Sequence, residues 1–219
     1  VVPISRKQSL LTWLPATILL LVIAGVVFGT VAVQNSWWAE DAPEASADQK
    51  ASDGSTMLTD AGFDYANVEG IVRVRIGDSG LSARELGLPE DGEKTAEFRR
   101  PVRAVIAGRD DVYVVDDIAT LTARSEDDRL ASVTLRFDVV STWSDGVDLL
   151  RRHAEKLGWD PAQLDGLDEQ LAEFNRDGEG DSFTATITSD DGGATVTGVL
   201  VFDRASGITP VFVEFTPAP

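Results

Sequence analysis

Four oxygen-bearing side chains alternate in the run NRDGEGD: Asn175, Asp177, Glu179 and Asp181, with glycines at 178 and 180. Hard cations such as calcium take carboxylate and amide oxygens at alternate positions of a loop in which glycine permits a sharp turn. This run is the chain's candidate for metal ligation. The bidentate glutamate that ends an EF-hand loop is missing, and Asp181 leads into an expected strand, not a helix. The plainer reading is a helix stop followed by a polar loop.

His153 is the chain's one imidazole. It sits in an expected helix with Arg151, Arg152 and Lys156, and those cations disfavour its protonated form. Triad catalysis is recognised by geometry that a sequence does not supply, so His153 is read as a solvated or half-covered helix residue. Acidic neighbours recur at Asp110-Asp111, Asp116-Asp117, Asp127-Asp128 and Asp190-Asp191. Successive strand residues point to opposite faces, so such pairs do not converge on a substrate, and most read as turn formers. GxSxG, a Walker loop, HExxH and a dinucleotide fingerprint between strand and helix are all missing. No catalytic residue and no cofactor site is assigned, and the chain is expected to be no enzyme.

Composition narrows the field further. The 219 residues include no cysteine, which excludes disulfide scaffolds, thiol catalysis and cysteine-ligated metals. The first 39 residues hold two bases, Arg6 and Lys7, and no acid; the rest hold 17 bases and 37 acids, a net charge of −20. Such a body repels nucleic acid and anionic lipid.

Topology is the strongest feature. Leu10 to Val33 runs 24 residues without a charge, about 36 Å as a helix, enough for a hydrocarbon core of about 30 Å. Arg6 and Lys7 precede it and the acidic mass follows. The positive-inside rule then keeps residues 1–9 in the cytoplasm and the C-terminal part outside. Trp13 falls near the inner interface, and Trp37 and Trp38 near the outer one, where indoles are favoured. The stretch exceeds a signal peptide's apolar core, so an uncleaved anchor in the plasma membrane is expected. Gly25 and Gly29, with Ala32 nearly on the same face, would let another helix approach, although glycine is common in membrane helices.

Residues 34–56 read as an acidic tether, and residues 57–219 as one outer domain. Val68 to Ile76, Pro101 to Ile106 and Val112 to Val115 read as strands. Ile118 to Arg124, the polar SEDDR and Ser132 to Val140 read as a hairpin, with Val133, Leu135, Phe137 and Val139 on one side. Val147, Leu150, Ala154 and Leu157 then follow helical spacing, with Gly158 as the stop. Asp160-Pro161 caps a second helix whose face is Leu164, Leu167, Leu171 and Phe174. Three strands close the chain: Phe183 to Thr188, Ala194 to Phe202, and Ile208 to Phe215, where Pro210 implies an edge or a bulge. The fold class is α+β, an antiparallel sheet with two adjacent helices on one face.

A basic N-terminus with Arg6 and Lys7, one span, an acidic Ala/Asp-rich tether and a small cysteine-free α+β domain together resemble the envelope proteins of Actinobacteria. In plan the chain is similar to the single-span accessory subunits of the actinobacterial cytochrome bc–aa3 respiratory supercomplex. The resemblance lies in architecture, size and composition. It implies a non-catalytic subunit whose span packs on an integral membrane complex. The acidic domain would meet a basic extracytoplasmic protein, and the chain would carry no c-type haem, since CxxCH is missing. Two other readings stay open. An extracytoplasmic module for lipid or cell-envelope components would need a deep apolar pocket, and a membrane-anchored hydrolase would need a catalytic motif.

Overall fold

The computed structural model describes residues 19–23, 26, 54–77, 80–138, 142–189 and 193–217. The chain divides into two units, Val1–Asp41 and Ala42–Pro219. In the first, Leu19 to Ile23 and Val26 are helical and exposed. Among the described residues no helix is long and apolar enough to cross a membrane. Most of the expected span lies outside them, as do Arg6, Lys7, Trp13, Gly25, Gly29, Ala32, Trp37 and Trp38.

The second unit is α+β. It begins with helix α1 (Asp60–Glu69), capped by the Thr59 hydroxyl, which accepts from the Gly62 N–H at 3.1 Å. Strand β1 (Ile71–Arg75) and the short helix α2 (Ala83–Leu86) follow, then the long strands β2 (Gly92–Ala107), β3 (Val112–Glu126) and β4 (Arg129–Phe137). Helix α3 (Trp143–His153) runs into a 3-10 turn (Glu155–Leu157). A second 3-10 turn (Pro161–Leu164) leads to helix α4 (Leu167–Asp177). Strands β5 (Ser182–Ser189), β6 (Ala194–Asp203) and β7 (Val211–Pro217) end the unit.

The seven strands form one sheet in the order β1-β2-β3-β4-β7-β6-β5. The all-antiparallel expectation is corrected at one place: β1 pairs with β2 in parallel. Residues 76–91 join them, carrying α2, and exceed the dozen or so residues a parallel crossover needs. The other pairs are antiparallel, and β3 and β4 form the expected hairpin. Its tip is Asp127-Asp128, both left-handed at φ 53° and 56°, the backbone of a two-residue hairpin turn.

Several boundaries differ from the sequence reading, and Val112 to Val115 and Ile118 to Arg124, read as two strands, form the single strand β3. Val68 and Glu69 belong to α1, and the strand starts only after Gly70, whose φ of 78° ends the helix. β2 runs straight through Pro101, because its register with β3 shifts between Glu97 and Val102, and such a bulge spares the missing N–H. Pro210 precedes β7, which lies inside the sheet between β4 and β6, so the expected edge is wrong.

The core lies on one face of the sheet. Ala104, Leu121, Leu135, Val213, Val196 and Ile187 represent six successive strands, and all are buried. Above them α1 covers β1 and β2, with Phe63 edge-on to Phe98 at 6.5 Å. α3 lies on β6 and β7, where a Cβ on Gly146 would come within 2.9 Å of Leu200 and 3.2 Å of Val211. Trp143 Nε1 donates to Asp168 at 3.0 Å, joining α3 to α4. Burying such side chains stabilises the domain by about 1.5–3 kcal/mol each.

Candidate functional site

Gly158 is left-handed, at φ 69°, and turns the chain back after the first 3-10 turn. That reversal drives Trp159 into the sheet, where its Nε1 donates to the Val196 carbonyl at 2.8 Å, fully buried. Asp160 then caps the second 3-10 turn by accepting from the Ala162 N–H at 2.9 Å. The expected cap is present, but it starts a 3-10 turn; Gly166 at φ 81° separates this turn from α4. The helical cover is thus anchored by an indole and stepped along the outer side of β5.

That cover carries most of the interesting charge. Residues 160–181 contain eight acidic residues and one basic residue, Arg176, and all nine are exposed. Arg176 meets Asp177 at 3.4 Å, the one ion pair in the segment among the described residues. Asp160 and Asp168 are spent on the cap and on Trp143. The remaining carboxylates face water.

The structure does not gather Asn175, Asp177, Glu179 and Asp181 around a cation. Arg204 occupies that loop instead. Its guanidinium donates to the carbonyls of Phe174 at 2.8 Å, Gly178 at 3.2 Å and Gly180 at 3.0 Å. It also stacks on the Phe174 ring at 4.1 Å from the centroid. A backbone bond from the Arg204 N–H to the Asp181 carbonyl, 2.8 Å, closes the loop onto β6. The inward oxygens are already served by a cation of the chain itself, and the carboxylates point outward. Among the described residues no three acidic or imidazole groups come together as a metal site.

His153 is half-buried at the end of α3, with its ring 5.2 Å from that of Phe137. Its Nδ1 is buried and has no hydrogen-bond partner among the described residues. Burial is the main force lowering its pKa below the usual 6.5; Lys156 and Arg152 add to it, and Asp116 and Asp117 oppose it. The sequence reading named only the cations. A histidine held neutral in the fold but free to protonate when unfolded makes the unfolded chain bind more protons at mildly acid pH. Stability is therefore fully present above about pH 6.5 and falls as pH drops toward the lower folded value. Urea unfolding of the native chain at about pH 7.5 and about pH 5.5 should show this loss, and His153→Gln should remove the histidine's share of it. Equal slopes in the two proteins would show that His153 titrates alike in both states.

A cavity of about 730 Å³ opens at the end of the sheet that carries the β3–β4 hairpin tip. Gly77, Ser82, Arg109, Asp127, Asp128 and Arg129 contribute to its wall. It is polar and open, not the deep apolar cleft between sheet and helices that a lipid-handling module requires.

Two residues missed in the sequence shape this region: Arg204, which holds the acidic loop, and Gln163. The Gln163 side chain accepts from the Thr188 N–H at 2.9 Å and donates to the Thr188 carbonyl at 3.0 Å. The strand SFTATITS, which carries no charge, was the available signal. Comparison of the chain with family models, with curated proteins and with solved structures finds no match in any of the three.

Proposed function

We propose that the chain is a non-catalytic accessory subunit of a larger bacterial membrane complex, of which the respiratory supercomplex is the leading instance. Leu10 to Val33 anchors it in the plasma membrane with the N-terminus inside. The outer domain engages a basic extracytoplasmic partner. The observation that carries this reading is the exposed acidic segment 160–181, whose charge is nearly unpaired among the described residues. Charge left uncompensated on a rigid cover steers association with a partner of opposite sign. The 24-residue uncharged run supports the anchor, and Arg6 and Lys7 support its orientation.

Purification of the tagged full chain in mild detergent tests the assignment. A stoichiometric membrane complex is expected to come with it, and Gly29→Leu is expected to reduce the yield, because a bulky side chain separates the helix backbones. Protease added to intact protoplasts should remove the outer domain. A protected domain would contradict the orientation, and a free monomer would contradict the subunit role.

A further inference from the structure

We propose that the free edge of β5 is a docking strand, to which a partner adds an extended, basic segment by β-augmentation. The two edges of the sheet differ. At β1 the edge is closed by the lead-in to α1. There the Thr56 N–H donates to the Arg73 carbonyl at 2.7 Å, and the Thr56 hydroxyl accepts from the Arg73 N–H at 3.0 Å. At β5 the Gln163 amide plays the same part, but for Thr188 alone.

That one contact fixes the polarity of the strand. The Thr188 N–H and carbonyl point away from β6, and strand groups alternate with a period of two. The N–H and carbonyl groups of Ser182, Thr184 and Thr186 therefore point outward as well. The bond from the Arg204 N–H to the Asp181 carbonyl has the opposite parity and points inward, as this requires. Ser182, Thr184 and Thr186 are exposed, and among the described residues nothing pairs with their outward backbone groups. The strand carries none of the usual edge protection: no lysine, no proline and no bulge in its register with β6. A segment that adds here gains main-chain bonds to three alternate residues and meets threonine side chains that pair well across strands.

The occupant follows from charge. The segment 160–181 borders this edge along its length. Gln163 lies at the Thr188 end and Asp181 at the Ser182 end, and α4 lies between them, with Phe174 stacked on Phe183 at 5.5 Å. With eight acidic residues against one basic, it favours a strand flanked by lysine or arginine. A second copy would bring the same acidic segment to the same seam. The inference rests on the proposed subunit reading for the partner's sign and adds the place and mode of contact.

The full chain in detergent is titrated with the synthetic peptide KKTVTVTKK and with its counterpart EETVTVTEE, and amide exchange is followed by NMR. The lysine peptide is expected to slow exchange at Thr184 and Thr186 by about tenfold or more, and the glutamate peptide to leave it unchanged. Thr184→Pro should weaken lysine-peptide binding by about tenfold, because it removes one outward N–H while leaving the β6 ladder intact. Thr184→Lys, which keeps the strand but repels a basic segment, should weaken it too. Unchanged exchange with saturating lysine peptide would overturn the proposal. So would equal binding of the two peptides, or protection that grows with protein concentration alone, the mark of a second copy. A wild-type membrane complex that is salt-sensitive yet survives Thr184→Pro would overturn the edge contact and leave the subunit reading standing.

Discussion

Replacing Trp159 with alanine is expected to lower the stability of the C-terminal domain by about 3–5 kcal/mol, the range for truncating a large buried aromatic. The indole is 3% exposed. Its loss leaves a cavity over β5 and β6 and strands the Val196 carbonyl, which now accepts from Nε1 at 2.8 Å. The space is tailored. A Cβ on Gly198 would come within 2.9 Å of the Trp159 ring and of Ile187, so a glycine in the middle of β6 is the counterpart of the indole. A midpoint measured by urea or heat should fall far, by about 10 °C or so for a domain of this size. Trp159→Phe should recover part of the packing but not the hydrogen bond. A loss near that of a surface substitution would mean that the helical cover is held by other contacts, and that the acidic segment it carries is not rigidly placed.

The second large effect is expected at Gly62. A Cβ there would lie 1.7 Å from the Met57 carbonyl oxygen, a collision with backbone that no side-chain rotation relieves. Gly62→Ala must push residues 54–58 off the domain or shift the start of α1, and is expected to cost about 3 kcal/mol. The effect has a location. Residues 54–58 close the β1 edge through Thr56, and Leu58 donates to the Leu86 carbonyl at 2.8 Å. Amide exchange at Arg73 should therefore accelerate in the variant, while exchange at Thr188, held by Gln163, should not. Uniform acceleration across the sheet would mean global loosening instead of a released edge.

Much of this architecture is written in local periodicity. Val133, Leu135 and Phe137 alternate cleanly, and all three are buried in β4. Val147, Leu150, Ala154 and Leu157 keep helical spacing and are buried too, with Gly158 left-handed at the predicted stop. What stayed hidden depends on partners distant in the chain. α1 has weak amphipathicity, and its end, Val68-Glu69-Gly70, continues the alternation of β1, so it reads as strand. The parallel pairing of β1 with β2 is decided by the crossover through α2, which no periodicity reports. Pro101 and Pro210 look alike in sequence, yet one sits in a bulge of β2 and the other just ahead of an interior strand. At the acidic loop, alternate oxygens were legible, but Arg204 lies more than twenty residues beyond Asp181, in the turn that follows β6. The open edge of β5 was equally invisible, because exposure of a backbone row is a property of the sheet order.

In the proposed subunit, the acidic segment 160–181 attaches the C-terminal domain to a basic partner. The most direct measurement is recovery of the detergent-solubilised complex on the tagged full chain as salt is raised from about 0.05 M to about 1 M, where the Debye length falls below about 3–4 Å. Recovery of the partner is expected to drop steeply with salt. A chain carrying Glu169→Gln, Glu173→Gln and Glu179→Gln is expected to show low recovery already at low salt, since these carboxylates are exposed and engage no cation among the described residues. Recovery that is flat with salt and unchanged by the three substitutions would contradict it, leaving the span as the attachment and the acidic cover without a part in binding.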